Sequence, residues 1–185
     1  MSDEFVSLRG QLLIASPGLL DPNFARTVVL VTEHTEEGAM GLVLDRPSEV
    51  LVCDAVPHLG VLVEEDALVY VGGPVQPEAV IALAEFDDTS RAAAVVLADV
   101  GFVRADVDPD ELAAGVRRTR IFAGYAGWGE GQLELELAES AWIVEPAEPG
   151  DLFASEPSGL WSAVLRRKGG TYAVIAMMPA DPSVN

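Results

Sequence analysis

Apolar residues in this chain come in short runs, each closed by a turn signal. That punctuation restricts the fold more than any other feature. Gly10 to Ala15 ends at Ser16-Pro17-Gly18. Thr27 to Thr32, rich in β-branched residues, ends at the polar stretch Glu33 to Gly38, and Ala39 to Leu44 ends before Pro47-Ser48. Ala67 to Val71 runs into Gly72-Gly73-Pro74. Runs of this length between glycines and prolines suit β-strands, and the pair flanking Glu33 to Gly38 reads as a hairpin. Ala92 to Ala98 is far too short to cross a bilayer, so no membrane association is expected.

Further strand signals lie at Ala93 to Ala98, Gly101 to Val103, Thr119 to Ala123, Trp142 to Val144 and Tyr172 to Met177. Ala79 to Leu83 fits a strand or a first helical turn. Helices are expected over Val50 to Leu59, limited by Pro57, and over Gly159 to Arg167. Asp108-Pro109-Asp110-Glu111 is a helix start, with an acidic cap and proline at the first position, and that helix should reach about Arg117. Gly124 to Gly131 reads as a glycine-rich loop. Gln132 to Ala138 alternates leucine with polar residues, a strand period, although Glu and Leu favour helix. Strands and helices do not alternate regularly, which argues for α+β with a mixed, largely antiparallel sheet.

The chain has 185 residues, with 11 Lys and Arg against 30 Asp and Glu, a formal charge of −19. A chain of this mass buries about 70% of its unfolded surface, enough for one domain over residues 1–185. Its mean field repels phosphate, which disfavours direct nucleic-acid contact. Asp3 and Glu4 stand where a secretory signal carries positive charge, and the only cysteine is Cys53, so a cytoplasmic protein is expected.

The usual catalytic patterns fail. Asp106 to Asp110 begins like a calcium loop, but the required Gly and Glu positions hold Glu111 and Arg117. Gly124-Tyr125-Ala126-Gly127-Trp128-Gly129 offers consecutive N–H groups yet lacks the Gly-Lys-Ser/Thr ending of a phosphate loop. Gly72-Gly73-Pro74 suits a close ligand approach or a sharp exit from a strand. His34, placed across a hairpin from Asp45-Arg46, fits a general base or a hydrogen-bonded structural histidine. With two histidines and one cysteine, no metal site is expected, and no cofactor is implied.

Taken together, Gly10 to Pro17, Asp21-Pro22-Asn23-Phe24, Arg26 to Val29, Glu33-His34, Gly38 to Leu44 and Arg46-Pro47 resemble the YqgE/AlgH family (DUF179). Gly72 to Val75, Gly124 to Trp128, Gly131 to Glu134 and Trp142 extend the likeness. The family commonly carries Asn before Arg-Pro; here Asp45 takes that place. The tail from Pro179 to Asn185, with Leu160-Trp161, is similar to the actinobacterial branch. The resemblance implies an α+β fold in which a branched sheet bends into a pseudo-barrel with helices outside, and it favours a helix over Gln132 to Ala138. It brings no established enzymatic activity and a proposed regulatory role.

Three functions are therefore carried forward. The first is a non-enzymatic binding or regulatory protein that influences transcription indirectly. Asp21, Arg26, His34, Asp45, Gly72, Gly73, Trp128, Gln132 and Glu134 would shape its surface for an unknown protein partner or small ligand, with a homo-oligomer left open. The second is a hydrolase-like enzyme with His34 as base and Asp45 orienting it. The third is a DNA-binding regulator using Arg117, Arg118 and Arg120 with Arg166, Arg167 and Lys168.

Overall fold

A β-branched run buried on both faces belongs in the middle of a sheet, and Val28 to Thr32 lies there. The computed structural model describes residues 4–180. Its strands are β1 (Gln11–Ala15), β2 (Val28–Thr35), β3 (Gly38–Val43), β4 (Pro47–Leu51), β5 (Leu68–Val71), β6 (Val75–Phe86), β7 (Val95–Leu97), β8 (Val100–Phe102), β9 (Val116–Gly129) and β10 (Trp142–Pro146). They pair in the order β10-β1-β2-β3-β9-β6-β8-β7, and β5 branches off β9 carrying β4. Every pairing is antiparallel except β5 with β9. The sheet curls into a half-barrel, as the resemblance implies.

The helices are α1 (Val52–Ala55), α2 (Pro109–Leu112), α3 (Gln132–Ala138), α4 (Pro149–Leu152), α5 (Leu160–Lys168) and α6 (Thr171–Ile175). Leu12 and Ile14 of β1 point to one side with Val28, Leu30 and Leu42, where Trp161, Val164 and Leu165 of α5 cover them. Leu13 and Ala15 point to the other side with Val29, Val31 and Val43, covered by Leu133 of α3 and by Trp128 and Trp142. With both faces covered, these strands read as continuous apolar runs rather than alternating ones. A third cluster, with Val52, Leu59, Leu62, Leu112 and Ile121, fills the β4–β5–β6 half.

Four expectations need correction. Gly124 to Gly131 is not a loop: β9 continues through Gly129 because Gly38–Gly41 of β3 pairs with Ala126–Gly129. Val50 to Leu59 is not one helix. β4 ends at Leu51, α1 is short, and Pro57, which has no N–H, opens a separate 3-10 turn, Pro57–Leu62. The Asp108 cap is present, its Oδ1 accepting from the Asp110 amide at 3.0 Å. That helix stops before Arg117, since Val116 already belongs to β9. Tyr172 to Met177 is not a strand; α6 occupies Thr171–Ile175, and Tyr172, Ile175 and Ala176 pack on the core beside α5. Ala79 to Leu83 belongs to strand β6. Residues 181–185 of the family-like tail lie outside the described residues.

Candidate functional site

Gly131 sits in the left-handed region at φ 71° and turns the chain from β9 into α3. Helical geometry then places Gln132 and Glu136 on one face, four residues apart. Gln132 Oε1 accepts from the Gly129 amide at 3.1 Å, and its Nε2 donates to Glu136 Oε1 at 3.1 Å. The indoles of Trp128 and Trp142 both donate to Glu136 Oε2, at 2.9 and 2.8 Å. Phe24 packs edge-on to Trp142 at 5.7 Å and lies 6.3 Å from Trp128. Glu136 thus fastens α3 to two buried tryptophans. Sequence reasoning missed it; its signal is the four-residue spacing from Gln132, visible only once the segment is read as a helix.

His34 is buried on β2 and meets half-exposed Glu134, with Nε2 2.7 Å from Oε1. The Leu8 amide donates to its Nδ1 at 3.0 Å. An acceptor Nδ1 carries no hydrogen, so the ring is neutral and its proton lies on Nε2, donated to Glu134. Phe5 stacks edge-on against the ring at 4.8 Å, and Ser7 Oγ donates to the His34 carbonyl. His34 therefore straps the arm of residues 5–8 to the sheet. A cavity of about 430 Å³ lies there, bounded by Phe5, Leu8, Glu36 and Leu137 among others. His34→Ala is expected to raise hydrogen exchange at the Leu8 amide about tenfold, and unchanged exchange would contradict the strap.

The remaining candidates lie elsewhere. Asp45 is not across the hairpin from His34, whose partner there is Ala39. Asp45 Oδ1 accepts from the Val28 amide at 3.1 Å. Six residues of β2 separate that point from His34, roughly 20 Å of strand. Burial pushes the Asp45 carboxyl up to about 7, against the lowering pull of the Val28 amide and of Arg46. Arg46 donates to the carbonyls of Asn23 and Ala25. Asp21 caps its own turn through the Asn23 amide at 2.8 Å. Arg26, at φ 56°, lies 4.0 Å over the Trp161 ring and donates to the Met178 carbonyl. Gly72 bridges two strands, donating to the Ala123 carbonyl and accepting from the Val43 amide. The close approach at Gly72-Gly73 is thus made by the chain's own backbone. Trp128, Gln132, Glu134 and His34 come together around α3; Asp45, Gly72 and Gly73 do not join them.

The family model DUF179, described as AlgH-like, matches residues 12–173. The chain belongs to the AlgH-like family. A UPF0301 protein of Streptomyces coelicolor is 44% identical over 188 residues, spanning 98% of this chain and 97% of that protein. One from Thermobifida fusca is also 44% identical, spanning 97% and 96%. The crystal structure of a Corynebacterium diphtheriae protein superposes with TM-score 0.86 at 29% identity, covering 96% of this chain and 95% of that one. The solution structure of the Pseudomonas aeruginosa AlgH protein superposes with TM-score 0.71 at 33% identity, covering 97% and 98%. The two AlgH-like expectations that bear on the site, a curled sheet and a helical α3, both hold in this chain. Among the described residues, no helix is long and apolar enough to cross a membrane.

Proposed function

We propose that the chain is a cytoplasmic, non-catalytic binding or regulatory protein that acts through a protein partner. The observation that supports this reading is how the site's polar groups are spent. His34 uses one ring nitrogen on the Leu8 amide and the other on Glu134, so no lone pair is left for a substrate proton. Glu136 is held by Gln132 and two indoles, and Asp45 lies on a different part of the sheet. Such side chains build a surface rather than a reaction centre.

Regulation by direct DNA contact has less support. Arg117 bridges Asp87 and Asp99, Arg118 meets Glu85, Arg167 meets Asp151, and Lys168 meets Glu145. Cations already neutralised by carboxylates release few counterions on meeting phosphate. The test is a tagged pull-down from host lysate, split into nuclease-treated and untreated halves. A stoichiometric protein that survives nuclease is the expected result. Capture only through nucleic acid would overturn the reading.

A further inference from the structure

We propose that the open edge of β9 receives an extended segment of a protein partner as an added strand, one whose residues alternate acidic and apolar. This deepens the partner reading above and rests on it.

Along one side, β9 pairs with β6 from Val116 to Tyr125. On its other side it meets β3 at Ala126–Gly129 and β5 only at Phe122 and Ala123. From Val116 to Arg120 that second side has no strand partner among the described residues. Which peptide groups face it follows from the hydrogen bonds. Ala123 accepts from the Gly72 amide on this side, and peptide groups alternate along a regular strand, so those of Ile121 and Thr119 face the same way; Arg117 is the extra residue of a bulge opposite Glu85–Phe86 and falls outside this alternation. The opposite strand agrees: Ala82, in register with Ile121, gives its carbonyl to Val103, away from β9. Thr119 therefore presents its N–H and C=O groups to a partner backbone.

A cavity of about 350 Å³ follows this edge, walled by Val61 to Glu64 on one side and Phe153 on the other. The two walls differ in chemistry. Ile121 packs with Leu62, Val63 and Ala113, an apolar face. Arg118 and Arg120 point to the opposite face, over Phe153 at 4.6 Å and over Tyr70 at 4.1 Å. A strand laid beside β9 puts alternate side chains against these two faces, so it matches best when it alternates apolar and acidic.

Arg120 is the cation that such an acid would meet. Arg118 already makes a two-pronged contact with Glu85 on β6. Arg120 has no carboxylate partner among the described residues; its polar contacts are long bonds of 3.4 and 3.5 Å to the Ala154 carbonyl. Burial lowers its pKa, the signature of a guanidinium short of compensation. Thr119 Oγ1 is closed off from solvent without a hydrogen-bond partner. A second copy of the chain fits poorly, because antiparallel pairing of two Val116–Arg120 edges sets arginine against arginine. Glu64 on the apolar wall also disfavours an acid on that face, which fixes the acidic positions toward Arg120.

The test titrates the isotopically labelled full chain with an end-capped Val-Glu-Val-Glu-Val peptide and, separately, with its Val-Lys-Val-Lys-Val counterpart. The expected result is amide shifts and exchange protection centred on Thr119 with the glutamate peptide alone, weakened about fivefold in Arg120→Gln. Equal binding of both peptides, shifts centred elsewhere, or no shift at millimolar peptide would overturn the proposal. The two-peptide comparison uses the unaltered chain, so it stands if the variant folds poorly. A nuclease-resistant partner that protects other residues would discard this surface and leave the partner reading intact.

Discussion

At pH 8, Asp45→Asn is expected to be more stable than the unaltered protein by on the order of 4 kcal/mol. The folded carboxyl is raised to about 7 from its ordinary 3.8, chiefly by burial. A raised acid favours its neutral form in the folded state. Below the ordinary carboxylate range both states are neutral and no penalty applies. As pH rises from there to about 7, the unfolded chain ionises freely while the folded one resists, and stability is lost across that window. Above about 7 the loss is complete. Asparagine keeps an oxygen in place for the Val28 amide and has no charge to desolvate. Denaturant titrations at pH 4 and pH 8 would check this. The advantage should be near zero at pH 4 and full at pH 8. A variant of equal or lower stability at pH 8 would contradict the account.

Gly73→Ala is expected to cost more than about 4 kcal/mol and to leave little folded protein at 37 °C. The residue lies at φ +155°, and an added Cβ would fall among the Tyr125 carbonyl and the Ala126 nitrogen, all backbone atoms. Backbone in a central strand cannot yield as a side-chain tip can. Gly127→Ala is the control. There an added Cβ lies 3.7 Å from the Tyr125 and Val75 side chains, an ordinary contact. It should change stability by less than about 1 kcal/mol. Similar losses in both variants would show that the Gly72-Gly73 crossing does not carry the effect assigned to it.

Much of the sheet was legible because local chemistry and tertiary placement agree. Val28 to Thr32 is β-branched, and its burial on both faces rewards that. Asp108-Pro109 makes its cap whatever lies beyond it. The failures share one cause: the deciding contact is distant in sequence. Gly124 to Gly129 looks like a loop by composition, yet β3 supplies the pairing that holds it as strand. Tyr172 to Ile175 has strand-like residues, but α5 offers a helical surface to pack on. The period-2 pattern of Gln132 to Ala138 is coincidental; the resemblance to a family corrected it, and the Glu136–tryptophan bonds explain it. In the site, His34 sits in the polar stretch Glu33 to Glu37 and Glu134 in an alternating Leu-Glu run, so neither stands out from its neighbours. Their pairing spans 100 positions and has no local signature. Hairpin arithmetic pairs Asp45 with His34, but the Gly38 turn sets Ala39 opposite the histidine.

The proposal that the polar residues of the family motifs hold the fold and its surface, rather than perform a reaction, is tested by a nitrogen-15 spectrum of the His34 ring at pH 7, which reports where its proton lies. The account predicts a neutral ring with the proton on Nε2 and an unprotonated Nδ1 shifted by its bond from the Leu8 amide. A ring with its proton on Nδ1 and a free Nε2 lone pair beside Glu134 would contradict it and return His34 to the role of a base.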